Sequence, residues 1–229
     1  MDAFFHDLWM LISEPGQLRE NLAQIVDTLG GGLTYAMLGL IVFAETGLVV
    51  TPFLPGDSLL FATGAVVATV ESVARDAGAA PAVRADVMAL VLFACAVIGD
   101  GVNYHVGRAI GPLAFSGRFR WLKREHLERT QAFFERHGGR AVVLARFVPI
   151  VRTFAPFVAG VGTMRYGRFL FYNVFGAILW VGLLMGGGYW LGGLEFVQRN
   201  FSKVVLGIIV VSVMPLAWEW WKARRATVS

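Results

Sequence analysis

The run from residue 141 to 163 is apolar, yet it carries Arg146 and Arg152 and is punctuated by Pro149, Pro156, Gly160 and Gly162. A charge isolated at the centre of a bilayer costs about 2.5 to 3.5 kcal/mol on insertion scales, so each arginine requires a partner or a water-lined cavity. The remaining apolar runs identify the solvent. In a 229-residue chain that is 56% hydrophobic with a mean hydropathy of +0.62, residues 87 to 111, 167 to 192 and 203 to 221 are each apolar over a bilayer's width. At 1.5 Å per residue each can cross a hydrocarbon core of about 30 Å. The expectation is an all-α polytopic membrane protein with about three full transmembrane helices.

Two other stretches are apolar but broken. In residues 33 to 70 the interruption is Pro52, Pro55, Gly56 and Asp57; in 141 to 163 it is the prolines and glycines already named. Breaking a helix at membrane depth frees backbone groups that must find partners, which is tolerable where the bend lines a cavity or is covered by protein. Both stretches read as re-entrant helical hairpins. Residues 113 to 140 are rich in Arg and Lys, and Lys222, Arg224 and Arg225 follow the last span, so both segments are expected on the cytoplasmic side. Residues 1 to 32 are mainly acidic and read as an amphipathic segment on the outside; the linker from 71 to 86 is balanced in charge and reads as a short flexible loop. The hairpins then enter from opposite faces, in an inverted-repeat arrangement within one domain.

Four ionisable residues fall in the broken stretches: Glu45, Asp57, Arg146 and Arg152. Two acids and two bases can neutralise one another as a structural lock. Alternatively, half-helix N-termini and guanidinium groups, whose planar fork suits bidentate phosphate contact, form an anion site beside carboxylates that exchange protons. Phosphate binding by Arg146 and Arg152 with proton coupling by Glu45 and Asp57 is chemically coherent. A carboxylate–arginine lock that opens during transport uses the same residues.

Several separated strings carry a family resemblance: Phe43-Ala-Glu45-Thr-Gly47, Phe53-Leu-Pro55-Gly56-Asp57-Ser58, Gly99-Asp100 with Tyr104 and Gly107-Arg108, Ala145-Arg146-Phe147-Val-Pro149-Ile-Val-Arg152-Thr153-Phe-Ala-Pro156, and Asn173 with Gly176-Ala177-Ile-Leu-Trp180. In this order, over about residues 33 to 192, the chain resembles the DedA family of bacterial inner-membrane proteins (SNARE-associated or VTT-domain superfamily). The resemblance implies two opposed re-entrant hairpins and a lipid-handling transporter. It also implies that Glu45 and Asp57 correspond to the family's essential acids, and Arg146 and Arg152 to its essential arginines. The expected activity is a flippase for a lipid phosphate, with undecaprenyl phosphate first; a phospholipid scramblase and a proton or cation antiporter are the alternatives.

Secondary candidates surround this constellation. Asp100, Asn103 or Tyr104, and Arg108 share one face of the 87 to 111 span, where Arg108 also reads as a snorkelling cation and His105 as a satisfied helix histidine or a proton relay. Thr153 adjoins Arg152, and Asn173 and Trp180 share another face, where Asn173 is placed to hydrogen-bond across the bundle and Trp180 to pack or anchor. Phe115 to Phe134 interleaves aromatic and basic residues, as a segment lying on the cytoplasmic leaflet does and as an ordinary positive-inside loop also does. The glycines at 186–188 and 192–193 read as permitting close helix approach.

The N-terminus lacks the features of a cleaved secretory signal and is expected to be retained. Cys95 sits in an apolar run as a packing residue, and His6, His126 and His137 have no zinc-site spacing, so no metal and no cofactor is expected. A lipid-phosphate phosphatase would need a histidine nucleophile with partners that this chain does not offer, so a non-enzyme is expected. The partners expected are membrane lipids and protons, without nucleic acid, and homo-oligomerisation is left open.

Overall fold

The computed structural model describes residues 18–48, 56–111, 124–162, 164–192 and 194, and all regular structure among them is helical. The expected span at 203 to 221, the bends at Pro52 and Pro55, residues 1–17 and the basic stretch at 112–123 lie outside the described residues. In chain order the helices are α1 (Leu18–Gly47), α2 (Gly56–Asp76), α3 (Ala85–Ile110), α4 (Arg124–His137), α5 (Ala141–Ala145), α6 (Pro149–Val161) and α7 (Tyr166–Gly192), with a 3-10 turn at Gly138–Arg140. Helices α2, α3 and α7 are long and apolar enough to cross a membrane. The described chain divides into two compact units.

The first unit holds residues 18–42, 56–95 and 179–192 with 194. Within it α1 is broken at Gly30, whose φ of 71° suits a residue without Cβ and separates the acidic N-terminal segment from the apolar run. Helix α2 packs backbone to backbone on α7. A Cβ at Gly64 would meet the Met185 carbonyl, one at Gly188 the Phe61 carbonyl, and one at Gly192 would stand 2.6 Å from the Ala65 Cα. Gly186 and Gly187 face open space, so only part of the glycine run serves close approach. Leu60, Met37, Met88 and Leu92 fill the core of this unit.

Two expectations are corrected here. The arm after the first bend does not stop at residue 70, because α2 continues to Asp76 and its 21 residues reach about 31 Å. The 71 to 86 linker is correspondingly not a flexible loop. Its first turns are helical, and what remains is tied at both ends. Glu71 accepts the Ala85 N–H at 2.7 Å, one of the donors left open at the start of α3, and the Tyr189 hydroxyl donates to the same carboxylate at 2.7 Å. The Tyr35 hydroxyl oxygen accepts the Arg84 N–H at 2.7 Å.

The second unit holds residues 43–48, 96–111, 124–162 and 164–178. Helices α3 and α6 touch through reciprocal glycines: a Cβ at Gly107 would meet the Phe157 carbonyl and one at Gly160 the Tyr104 carbonyl. Tyr104 stacks on Phe169 with ring centroids 4.5 Å apart, in a core with Val142 and Ala159. Phe134 of the basic segment packs against that cluster, so this ring covers protein. The second broken stretch bends at residues 146–148, before Pro149, which is the first residue of α6. Pro156 does not break the helix as expected; α6 runs through it, in keeping with the tolerance of proline in helices packed by neighbours. In both units Leu40, Leu90, Ile98, Phe171, Leu183 and Trp190 are more than half exposed, which suits an apolar solvent.

Candidate functional site: buried ion pairs on glycine-packed helices

On α3 the residues Gly99, Asn103 and Gly107 recur every four positions and therefore line one face. The two glycines bring backbone close. A Cβ at Gly99 would collide with Thr46 and the Phe43 carbonyl at the end of α1, just as Gly107 admits Phe157 of α6. Asn103 stands between them, fully buried, and its Nδ2 donates to the carbonyls of Thr46 at 3.1 Å and Thr153 at 2.9 Å. Only the NH₂ end of the amide can serve two carbonyls, which fixes its orientation. Thr46 lies in the last turn of α1, where carbonyls have no helical donor, so the bond also caps that helix.

The residues next to those two carbonyls are Glu45 and Arg152, and they form an ion pair between Glu45 Oε1 and Arg152 Nη2. The Glu45 side chain is 2% exposed and that of Arg152 15%. The second oxygen of Glu45, Oε2, is buried with no hydrogen-bond donor among the described residues. One half of the expected acid–base constellation is thus brought together.

The other half is arranged differently. Arg146 caps the C-terminal end of α5, buried, and its Nη2 donates to Asp100 Oδ2 at 2.5 Å and to Asn173 Oδ1 at 2.7 Å. Asn173 is held in turn by its Nδ2, which donates to the Val97 carbonyl at 3.0 Å. The acid that meets Arg146 is therefore Asp100, which the sequence pattern marks only as a secondary candidate on one face of the 87 to 111 span. Gly176, one turn after Asn173, makes the room: a Cβ there would stand 3.1 Å from Arg146 Cδ and 3.2 Å from Nε. Its place in the motif was visible in the sequence; its function as the wall behind a guanidinium was not.

Asp57 lies in the first unit, in the first turn of α2, where its carboxylate favours the helix N-terminus and Oδ1 accepts the Trp180 Nε1–H at 2.9 Å. Trp180 thus both packs and anchors the carboxylate. Arg108 is exposed, with Nη1 donating to the Tyr104 hydroxyl oxygen at 3.1 Å, and the Tyr104 hydroxyl donates to the Met164 carbonyl. His105 is exposed, with Nδ1 2.7 Å from the Gly101 carbonyl. Thr153 contributes its backbone carbonyl to Asn103. Cys95 is half-buried, with its Sγ 3.0 Å from where a Cβ on Gly39 would stand.

Long apolar helices, close glycine contacts and buried ion pairs in place of a polar core define a helical membrane protein. The VTT domain model matches residues 54–190. Over 207 residues the chain is 47% identical to Protein DedA of Escherichia coli K12, covering 90% of each chain. It is 41% identical over 190 residues to an uncharacterized membrane protein of Mycobacterium tuberculosis, covering 81% of this chain and 79% of that one. The inner membrane protein YghB of Escherichia coli K12 is 30% identical over 196 residues, 85% of this chain and 84% of its own. No solved structure matches. The chain belongs to the DedA family of VTT-domain membrane proteins.

Proposed function

We propose that this protein is a flippase for a lipid phosphate in the bacterial inner membrane, with undecaprenyl phosphate as the first substrate, and that protons drive it. The observation that carries this reading is a pair of buried arginines, each held by a carboxylate inside one apolar unit: Arg152 by Glu45 and Arg146 by Asp100. Guanidinium groups kept charged away from water are ready receptors for a phosphate monoester, whose hydrocarbon tail remains in the bilayer. Glu45, with one oxygen lacking a donor among the described residues, suits a proton-exchanging acid, and Asp57 is assigned the same role beside Trp180. In this reading the segments flanking residues 49–55 and 146–148 are opposed re-entrant hairpins of an inverted repeat. The C-terminus is cytoplasmic, and the protein performs no covalent chemistry.

The test is reconstitution in vesicles with labelled undecaprenyl phosphate across a pH gradient. Native protein is expected to move the lipid, while Arg152→Ala or Arg146→Ala inserts in the membrane and does not. Transport by either arginine variant at the native rate overturns the reading. Movement of phospholipid alone favours a scramblase, and proton flux in vesicles without lipid phosphate favours an antiporter.

A further inference from the structure

The terminal nitrogen Nη2 of Arg146 has two hydrogens. One is given to Asp100 Oδ2 and the other to Asn173 Oδ1, so both are committed. The side chains of Arg146 and Asp100 are each 7% exposed. An anion gripped through this nitrogen must therefore displace one of the two acceptors. Asn173 is not the one that leaves easily, because the bond from its Nδ2 to the Val97 carbonyl anchors the amide and its charge cannot change. Asp100 can become neutral by taking a proton.

We infer that Asp100 is the exchangeable counter-ion of Arg146: it binds a proton as it releases the guanidinium to a phosphate-bearing ligand, while Asn173 keeps the arginine in place. The inference rests on the phosphate reading and adds to it a proton-accepting residue. The charge balance closes. Before binding, one guanidinium faces one carboxylate; afterwards it faces the phosphate group bound as its monoanion, and the proton that entered resides on the Asp100 carboxyl. The buried site thus avoids an unpaired charge at either stage, which a low-dielectric interior makes costly. Among the described residues the charged group facing Asp100 is Arg146, from the end of α5; α7 presents neutral Asn173, Glu45 of α1 is paired with Arg152 of α6, and on α3 itself His105 and Arg108 lie further along and exposed.

The experiment measures binding of farnesyl phosphate to purified protein over a pH series, with inorganic phosphate and farnesol as parallel probes. Binding of farnesyl phosphate but not inorganic phosphate identifies a lipid head group; binding of both identifies the phosphate itself. In native protein affinity should rise as pH falls, because protons enter with the anion. The Asp100→Asn variant, which resembles the protonated acid, should bind and should lose about one proton from the slope of log affinity against pH. At alkaline pH it should bind about tenfold tighter than native for each pH unit above the point where Asp100 ionises. An Asp100→Asn protein that keeps the native slope, or that melts normally yet fails to bind, overturns the inference. Proton uptake on binding is also read calorimetrically in native protein, using buffers of different ionisation enthalpy. Native protein should take up protons with the ligand above the point where Asp100 ionises, and uptake of none there overturns the inference without reliance on any Asp100 variant. If native protein binds farnesyl phosphate at no pH, it is the phosphate reading that fails.

Discussion

The amide of Asn103 reaches across from α3 to the carbonyl of Thr153 on α6, 2.9 Å away, and with its second hydrogen holds the carbonyl of Thr46 on α1. The two segments that carry Glu45 and Arg152 are therefore pinned to the same side chain. Asn103→Ala should lower stability in detergent by about 1 to 3 kcal/mol, because buried carbonyls lose their donor. Asn103→Asp should be no better, since an ionised carboxylate donates nothing. A melting curve of Asn103→Asp that matches native would show that these bonds do not hold the segments.

A second prediction concerns the Arg146 couple. Asp100→Ala leaves a guanidinium buried without its counter-ion, and a loss of about 3 to 5 kcal/mol is expected. Adding Arg146→Met to that variant removes the stranded charge and fills the space with a flexible apolar side chain, so most of the stability should return. Chemical or thermal unfolding of the single and double variants measures this. A double variant less stable than Asp100→Ala alone contradicts the pairing.

Much of this site could be read from residue order, and the reasons for the remainder are physical. Charge in apolar surroundings marks Glu45, Asp57, Arg146 and Arg152, and the demand for neutrality says that acids and bases there meet one another. Neutrality does not say which acid meets which base. Helical periodicity put Asp100 on a face of α3, but the contact with Arg146 depends on the course of the chain after Ala145 and on a glycine at position 176. Pro156 reads in the sequence as a bend, yet α6 passes through it. The end of α2 is not legible in the sequence, because Ser72 to Asp76 have no apolar periodicity to advertise a helix that Glu71 and its contacts tie down.

The glycines of α7 give a paired prediction within one helix. Gly188→Ala should be strongly destabilising, because the new Cβ meets the Phe61 carbonyl, which is backbone and cannot swing away. Gly187→Ala, with nothing within 4 Å, should be neutral or stabilising by about 0.5 to 1 kcal/mol through its helix propensity. Equal melting temperatures for the two variants would contradict the close packing of α2 and α7.

The last prediction separates packing from polarity at Asp57. Trp180 is 2% exposed, and its Nε1–H meets the carboxylate at 2.9 Å. Trp180→Phe removes the donor and part of the ring, and should cost about 1.5 to 3 kcal/mol from the bond to a charged acceptor in addition to the lost burial. Asp57→Asn retains an oxygen acceptor and should fold at close to native stability. If Asp57 exchanges protons, this second variant should nevertheless lose pH-gradient-driven transport. Retained stability together with lost coupling is the expected pattern, because the indole needs only an acceptor whereas the proton needs an acid. Coupled transport surviving in Asp57→Asn would reduce this residue to an anchor for Trp180.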